Sequence, residues 1–103
     1  MTKSRTSSKG PLERDITNKI MRALKQRPRS FTFKTHGGPY QRAGIPDIVH
    51  WENGKSYAFE VKRPGNEPTQ LQALTLSRMA EAGVTVAVVH SVEEVLSVLP
   101  KTS

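Results

Sequence analysis

Two β-prone runs, Ile48-Val49-His50-Trp51-Glu52 and Lys55-Ser56-Tyr57-Ala58-Phe59, are separated only by Asn53-Gly54, the strongest short-range signal for a two-residue hairpin turn. A loop that short leaves the register no freedom. Glu52 must pair with Lys55, and counting outward from that pair brings Asp47 directly opposite Glu60. Cβ atoms of directly opposed residues lie roughly 4.5–5.5 Å apart, and like charges so placed destabilise a sheet. Two facing carboxylates therefore ask for a cation. Lys62 projects from the same face, because strand side chains alternate with period two, while Ile48, Tyr57, Phe59 and Val61 share the opposite face and read as core. A hard divalent ion such as magnesium is commonly held by one or two carboxylates, waters and substrate phosphates, so this face suits phosphate chemistry. The alternative is a surface hairpin in which Lys62 neutralises one acid and Asp47 ends a turn.

The rest of the chain can be ordered around that hairpin. Residues 1–10 are rich in Ser, Thr, Lys and Arg and read as a disordered basic arm, residues 11–100 as one domain and 101–103 as a tail. Pro11 is expected at the first position of a helix whose apolar stripe is Leu12, Ile16, Ile20, Ala23 and Leu24, ending before Pro28. At about 100° per residue Glu13 falls on that stripe, where it either complements the helix dipole or partners a bound cation. Ser30 to Thr35 alternates as a strand with Phe31 and Phe33 on one face. His36 to Gly44 is a loop that delivers the chain to Asp47, and Tyr40 and Arg42 within it are candidate phosphate or base contacts.

After the loop from Arg63 to Pro68, Thr69 with Gln72 forms a capping box, and Leu71, Thr75, Met79 and Ala82 make the expected packing stripe, with Leu74 and Leu76 on its flanks. Gln72 points partly inward, so it serves the cap, the site, or both. Gly83 stops the helix. Val84 to Val89 reads as a strand buried on both faces, expected parallel to residues 56–62. A second capping box, Ser91 with Glu94, opens a helix that packs Val92, Val95, Leu96 and Leu99.

Sixteen Lys and Arg against nine Asp and Glu give a formal charge of +7, which favours a polyanionic partner such as nucleic acid. There are no cysteines, which removes disulfides and thiolate zinc sites. His36, His50 and His90 share no metal-ligand spacing, and His36 alone of the three lies in the loop before Asp47. The sequence has no apolar run of membrane-spanning length and no secretory signal; a cytoplasmic protein, of a bacterium or phage-infected host, is expected.

Gly44-Ile45-Pro46-Asp47, then Glu60-Val61-Lys62, then Thr69-x-x-Gln72, preceded by Glu13 in an N-terminal helix, resembles the VRR-Nuc domain of the PD-(D/E)XK nuclease superfamily over roughly residues 11–95. The resemblance implies an α/β fold, a restriction-endonuclease-like αβββαβ core with a mixed central sheet flanked by helices. It also implies a magnesium- or manganese-dependent DNA phosphodiesterase. Asp47, Glu60, the carbonyl of Val61 and Glu13 would be the metal ligands; Asp47, Glu60, Lys62, Gln72 and Glu13 the catalytic set; His36, Tyr40, Arg42, Arg63 and Lys34 the DNA contacts. Short stand-alone members, often from phages, are similar to Holliday-junction resolvases and pair as homodimers. Branched DNA and a homodimer are thus expected, with Val92, Val95 and Leu99 or apolar residues near Trp51 either at the interface or equally in the intramolecular core. A nuclease of flapped or linear DNA, or a non-catalytic nucleic-acid-binding module, is the alternative.

Overall fold

A computed structural model describes residues 11–35 and 42–101. The expected basic arm (residues 1–10), His36 and Tyr40 in the loop 36–41, and residues 102–103 lie outside the described residues. The elements run α1 (Glu13–Leu24), β1 (Ser30–Lys34), β2 (Ile48–Glu52), β3 (Lys55–Val61), α2 (Gln70–Glu81), β4 (Thr85–Val89) and α3 (Val92–Val98). They form the expected α/β architecture, a four-stranded mixed sheet in the order β1-β2-β3-β4. The first three strands are antiparallel neighbours, and β4 is parallel to β3.

The hairpin register is the one the Asn-Gly turn dictates: Glu52 pairs with Lys55 and Ile48 with Phe59. Both turn residues have positive φ, 53° for Asn53 and 80° for Gly54. This is the left-handed geometry of the type I′ turn, whose twist matches that of the strands it joins. The entry to β1 is tied to the same turn, since the Asn53 N–H donates to the Arg29 carbonyl at 3.1 Å and Arg29 Nε donates to Asn53 Oδ1 at 2.8 Å.

One face of the sheet carries the main core. Ile16, Ile20, Met21 and Leu24 of α1 pack with Ile48, Tyr57, Phe59, Val61 and Val89 of the sheet and with Val95 and Leu99. The other face is covered on its β4 side by α2, which buries Leu76. β3, with helices on both sides, is the strand buried on both faces.

Several local expectations are corrected. Pro11 is not the first helical residue; Leu12 is the N-cap and α1 begins at Glu13, ending at Leu24 well before Pro28. The stripe of α2 is rotated: Leu71 and Leu74 are about half exposed and Ala82 is exposed, while Leu76 is buried. β4 is an edge strand, so Val89 alone of its residues is fully buried. Of the two readings open for Val92, Val95 and Leu99, the structure favours the intramolecular one: Val95 and Leu99 belong to the core, with Val92 packed against it. For the burial of α2 and β4 the strand order decides which face is covered, and a periodicity in one segment does not contain that order.

The core face also holds a polar network that the sequence reading left out. Glu52 and His50, both buried, point into this face. Arg27, just past α1, grips Glu52 with a forked pair of hydrogen bonds, Nε to Oε1 at 2.9 Å and Nη2 to Oε2 at 2.8 Å, and also donates to the Pro100 carbonyl. His50 Nε2 lies 2.9 Å from Glu52 Oε1. The guanidinium, with a smaller assist from His50, holds the Glu52 carboxyl below its usual range against the opposing effect of burial. Glu52 therefore contributes stability at neutral pH that is lost on acidification through its lowered folded-state pKa. Removing one partner of a buried pair leaves the other charge uncompensated, at about 3–5 kcal/mol. Arg27→Met should lower the melting temperature by on the order of 15 °C in calorimetry at pH 7, and Glu52→Leu added to it should recover much of the loss. A melting temperature unchanged in Arg27→Met would show that the pair is not a structural tie.

Candidate active site

The backbone route to Asp47 passes through a close contact. Gly44 has φ of +84°, and a Cβ there would come within 2.6 Å of Leu71 Cγ on α2, so glycine is required both for the left-handed conformation and for the approach. Pro46 is buried next to it, and the Thr35 hydroxyl donates to the Pro46 carbonyl. The Thr35 N–H donates to the Asp47 carbonyl at 2.9 Å, and the Asp47 carboxylate in turn accepts the Val61 N–H through Oδ2 at 2.7 Å. Asp47 is thus held from both sides at the end of the β2–β3 ladder, opposite Glu60 as the register requires.

Glu60 is the unusual member. Its side chain is 2% exposed, and Oε1 is buried without a hydrogen-bond partner in the chain. Lys62 Nζ stands 3.7 Å from Oε2, beyond ordinary hydrogen-bond length. Burial first, and then the neighbouring Asp47 carboxylate, push the Glu60 carboxyl up to about 7; Lys62 pulls it down, and Glu13 adds a smaller upward push. The first turn of α1 therefore brings Glu13 into electrostatic range of the pair. A buried acceptor with no donor costs free energy, and a carboxyl perturbed by burial together with a neighbouring charge is a candidate functional group. Among the described residues no group of three His, Asp or Glu side chains forms a ready-made metal cage. The donor set is instead two adjacent carboxylates, a chemistry that fits a magnesium-type ion that keeps waters and takes phosphate oxygens.

The other expected residues are distributed unevenly. The capping box is formed, with the Thr69 N–H donating to Gln72 Oε1 at 2.9 Å and the Gln72 N–H donating to Thr69 Oγ1 at 3.1 Å, so the Gln72 carbonyl oxygen is occupied by the cap. Arg63 follows Lys62 directly and is partly buried. Arg42 is exposed beside Gly44, where it lines a groove with Leu71, Leu74 and Arg78 of α2. Lys34 is paired with Ile48, so its side chain leaves the sheet on the core face and reaches Asn18 of α1 at 3.5 Å. It is not gathered with the acids.

A mixed four-stranded sheet with a carboxylate pair and a lysine at the end of its hairpin defines a nuclease-type α/β domain. The chain belongs to the VRR-NUC domain family, whose model matches residues 4–93. A solved structure described as a VRR_NUC domain protein superimposes with a TM-score of 0.70 at 20% identity, covering 87% of this chain and 86% of that one. A second, described as a VRR_NUC domain, gives 0.58 at 23%, covering 82% and 87%. At those identities the likeness concerns the fold. No curated protein matches the chain. No helix among the described residues is long and apolar enough to cross a membrane.

The raised Glu60 value has a definite consequence in metal-free buffer. Between pH 4.5, where the unfolded carboxyl releases its proton, and about 7, where the folded one does, the folded state binds more protons, so stability falls as pH rises through this window. Glu60→Gln removes the buried charge. It should stabilise the metal-free protein above pH 7 by on the order of 2 kcal/mol and change little at pH 4.5, as read by thermal unfolding at both pH values. A pH-independent effect would contradict the raised value.

Proposed function

We propose that the chain is a magnesium- or manganese-dependent DNA endonuclease that hydrolyses phosphodiester bonds, selective for branched DNA in the manner of a Holliday-junction resolvase and working as a homodimer. The observation that carries this reading is the Glu60 carboxylate, buried, with Oε1 unpartnered, beside Asp47 and Lys62. Those acids, the Val61 carbonyl and Glu13 are the residues that would hold the ion. When bound, it supplies neutralisation of the scissile phosphate and a water acidic enough to attack at neutral pH.

The chain's own residues do the positioning. Asp47 is pinned by the Val61 N–H through Oδ2, which fixes its carboxylate beside Glu60. Glu60 must be ionised to act as a ligand, so the ion would compete with the proton that burial and Asp47 favour on it in the metal-free protein. Lys62, with a side chain only 12% exposed, is placed to orient the attacking water or to steady charge on the phosphate. Gln72, its oxygen committed to the cap, retains its amide N–H groups as donors toward the nucleophile. Arg42 and Arg63 are the described cations flanking this end of the sheet in sequence, and their role is phosphate contact. Symmetric incision of a four-way junction requires two such sites facing opposite strands, which a two-fold dimer provides.

Cleavage of four-way junction, flap, single-stranded and linear duplex DNA, with magnesium or with chelator, tests the proposal. The junction should be cut fastest and only with the metal. Asp47→Ala and Lys62→Ala should each lower the rate by about 10²-fold or more with the fold intact. Wild-type cutting by Lys62→Ala would rule out this mechanism. Metal binding has a separate readout: magnesium should raise the melting temperature of the wild type, by mass action, and less so that of Asp47→Asn. Light scattering, free and on a junction, should give the mass of two chains; one chain in both cases would shift the reading to nicking of flapped or linear DNA.

A further inference from the structure

Among the described residues, the sheet face that carries Asp47 is only half covered. α2 lies over the β4 side, and Phe31, Phe33 and Trp51 stand on the β1–β2 side with 62%, 44% and 43% of their surfaces exposed. Their placement on this face follows from the register. Phe31 pairs with Trp51 and Phe33 with Val49, and positions 47, 49 and 51 share one face of β2. The rings touch one another in a closed triangle. Centroid separations are 6.1 Å for Phe31–Phe33, 6.0 Å for Phe31–Trp51 and 6.4 Å for Phe33–Trp51, and the last pair is stacked at 22°.

We propose that this aromatic triangle is a stacking shelf for unpaired DNA bases next to the scissile phosphate. The inference rests on the reading of the site as a DNA-cleaving one, and three observations lead to it. The shelf and Asp47 are on one face of the sheet, so DNA that presents a phosphate to Asp47 lies across or beside the rings. Trp51 is four residues along the strand from Asp47, roughly 14 Å at about 3.4 Å per residue, a span of about four stacked bases. Finally, three rings already packed edge to edge leave on the order of 300 Å² exposed. That area is well below the roughly 800 Å² per partner of a stable protein interface, but it matches the π-surface that one or two bases cover. Stacking on aromatic side chains is how proteins hold bases of any sequence. A duplex keeps its bases stacked on each other, so a shelf of this kind discriminates in favour of DNA with unpaired bases close to the cut.

Trp51 is the single tryptophan of the chain, so its emission reports on the shelf. The full-length protein, in chelator so that no cleavage occurs, would be titrated with oligothymidylate and with a blunt duplex, following Trp51 emission and, in parallel, anisotropy of labelled DNA. The shelf predicts saturable quenching by oligothymidylate and little by the duplex. Phe31→Ala and Phe31→Leu should each weaken oligothymidylate binding at least five-fold, because both remove the π-face, while Phe31→Tyr retains it; duplex affinity should be unchanged in all three. Binding by anisotropy with Trp51 emission unmoved would overturn the proposal. So would full retention of affinity in Phe31→Leu accompanied by a fall from two-chain to one-chain mass in Phe31→Glu, which would make the triangle a contact between copies of the chain. The two readings fail separately: quenching without any cleavage in magnesium would leave the shelf and remove the nuclease, and cleavage without quenching would do the reverse.

Discussion

The alignment of β2 with β3 is the constraint on which the site depends. A two-residue turn with both residues left-handed, at Asn53 and Gly54, permits one pairing of the strands, and that pairing puts Asp47 against Glu60. A slip of one residue would exchange the faces of the hairpin, sending the acids into the packing of α1 and α3 and bringing Phe59 and Val61 out. The core and the carboxylate pair are therefore specified by the same register, and the hydrophobic burial of Ile48, Tyr57, Phe59 and Val61 holds two like charges in a position that neither would adopt alone.

Two buried glutamates of one hairpin show how differently a fold can treat the same group. Glu52 is met by a forked guanidinium and a histidine, and its carboxyl is lowered. Glu60 is met by a second acid and a lysine held at 3.7 Å, and its carboxyl is raised to about 7. The first arrangement is complete within the chain and ties α1 to the hairpin and the C-terminal end. The second, with Oε1 left without a donor, is incomplete, and strain of this kind persists where the surrounding structure over-determines it. The location of that deficit, rather than the mere presence of acids, is what singles out this end of the sheet as the candidate site.

Much of this was legible in the residues. The turn signal, the alternation of the strands, the capping box at Thr69 and the order of elements all depend on local chemistry, and the structure reproduces them. The pairing of Asp47 with Glu60 was legible for the same reason, since it propagates from a turn only a few residues away. Gly44 could be read as a loop glycine, but the helix residue that forces it to be glycine, Leu71, lies far along the chain.

What the sequence by itself determined, then, is whatever a short stretch of backbone can settle: register, periodicity, caps, and which residue types share a strand face. The tertiary structure alone decided which faces are covered. It placed β4 at the sheet edge and β3 in the middle, turned α2 so that Leu76 rather than Leu71 is buried, absorbed Val95 and Leu99 into the core, and left Phe31, Phe33 and Trp51 in the open. It also joined Arg27 to Glu52, 25 positions away. Burial is a property of the neighbours on either side of an element, and those neighbours are chosen by strand order and helix placement, which no single segment encodes.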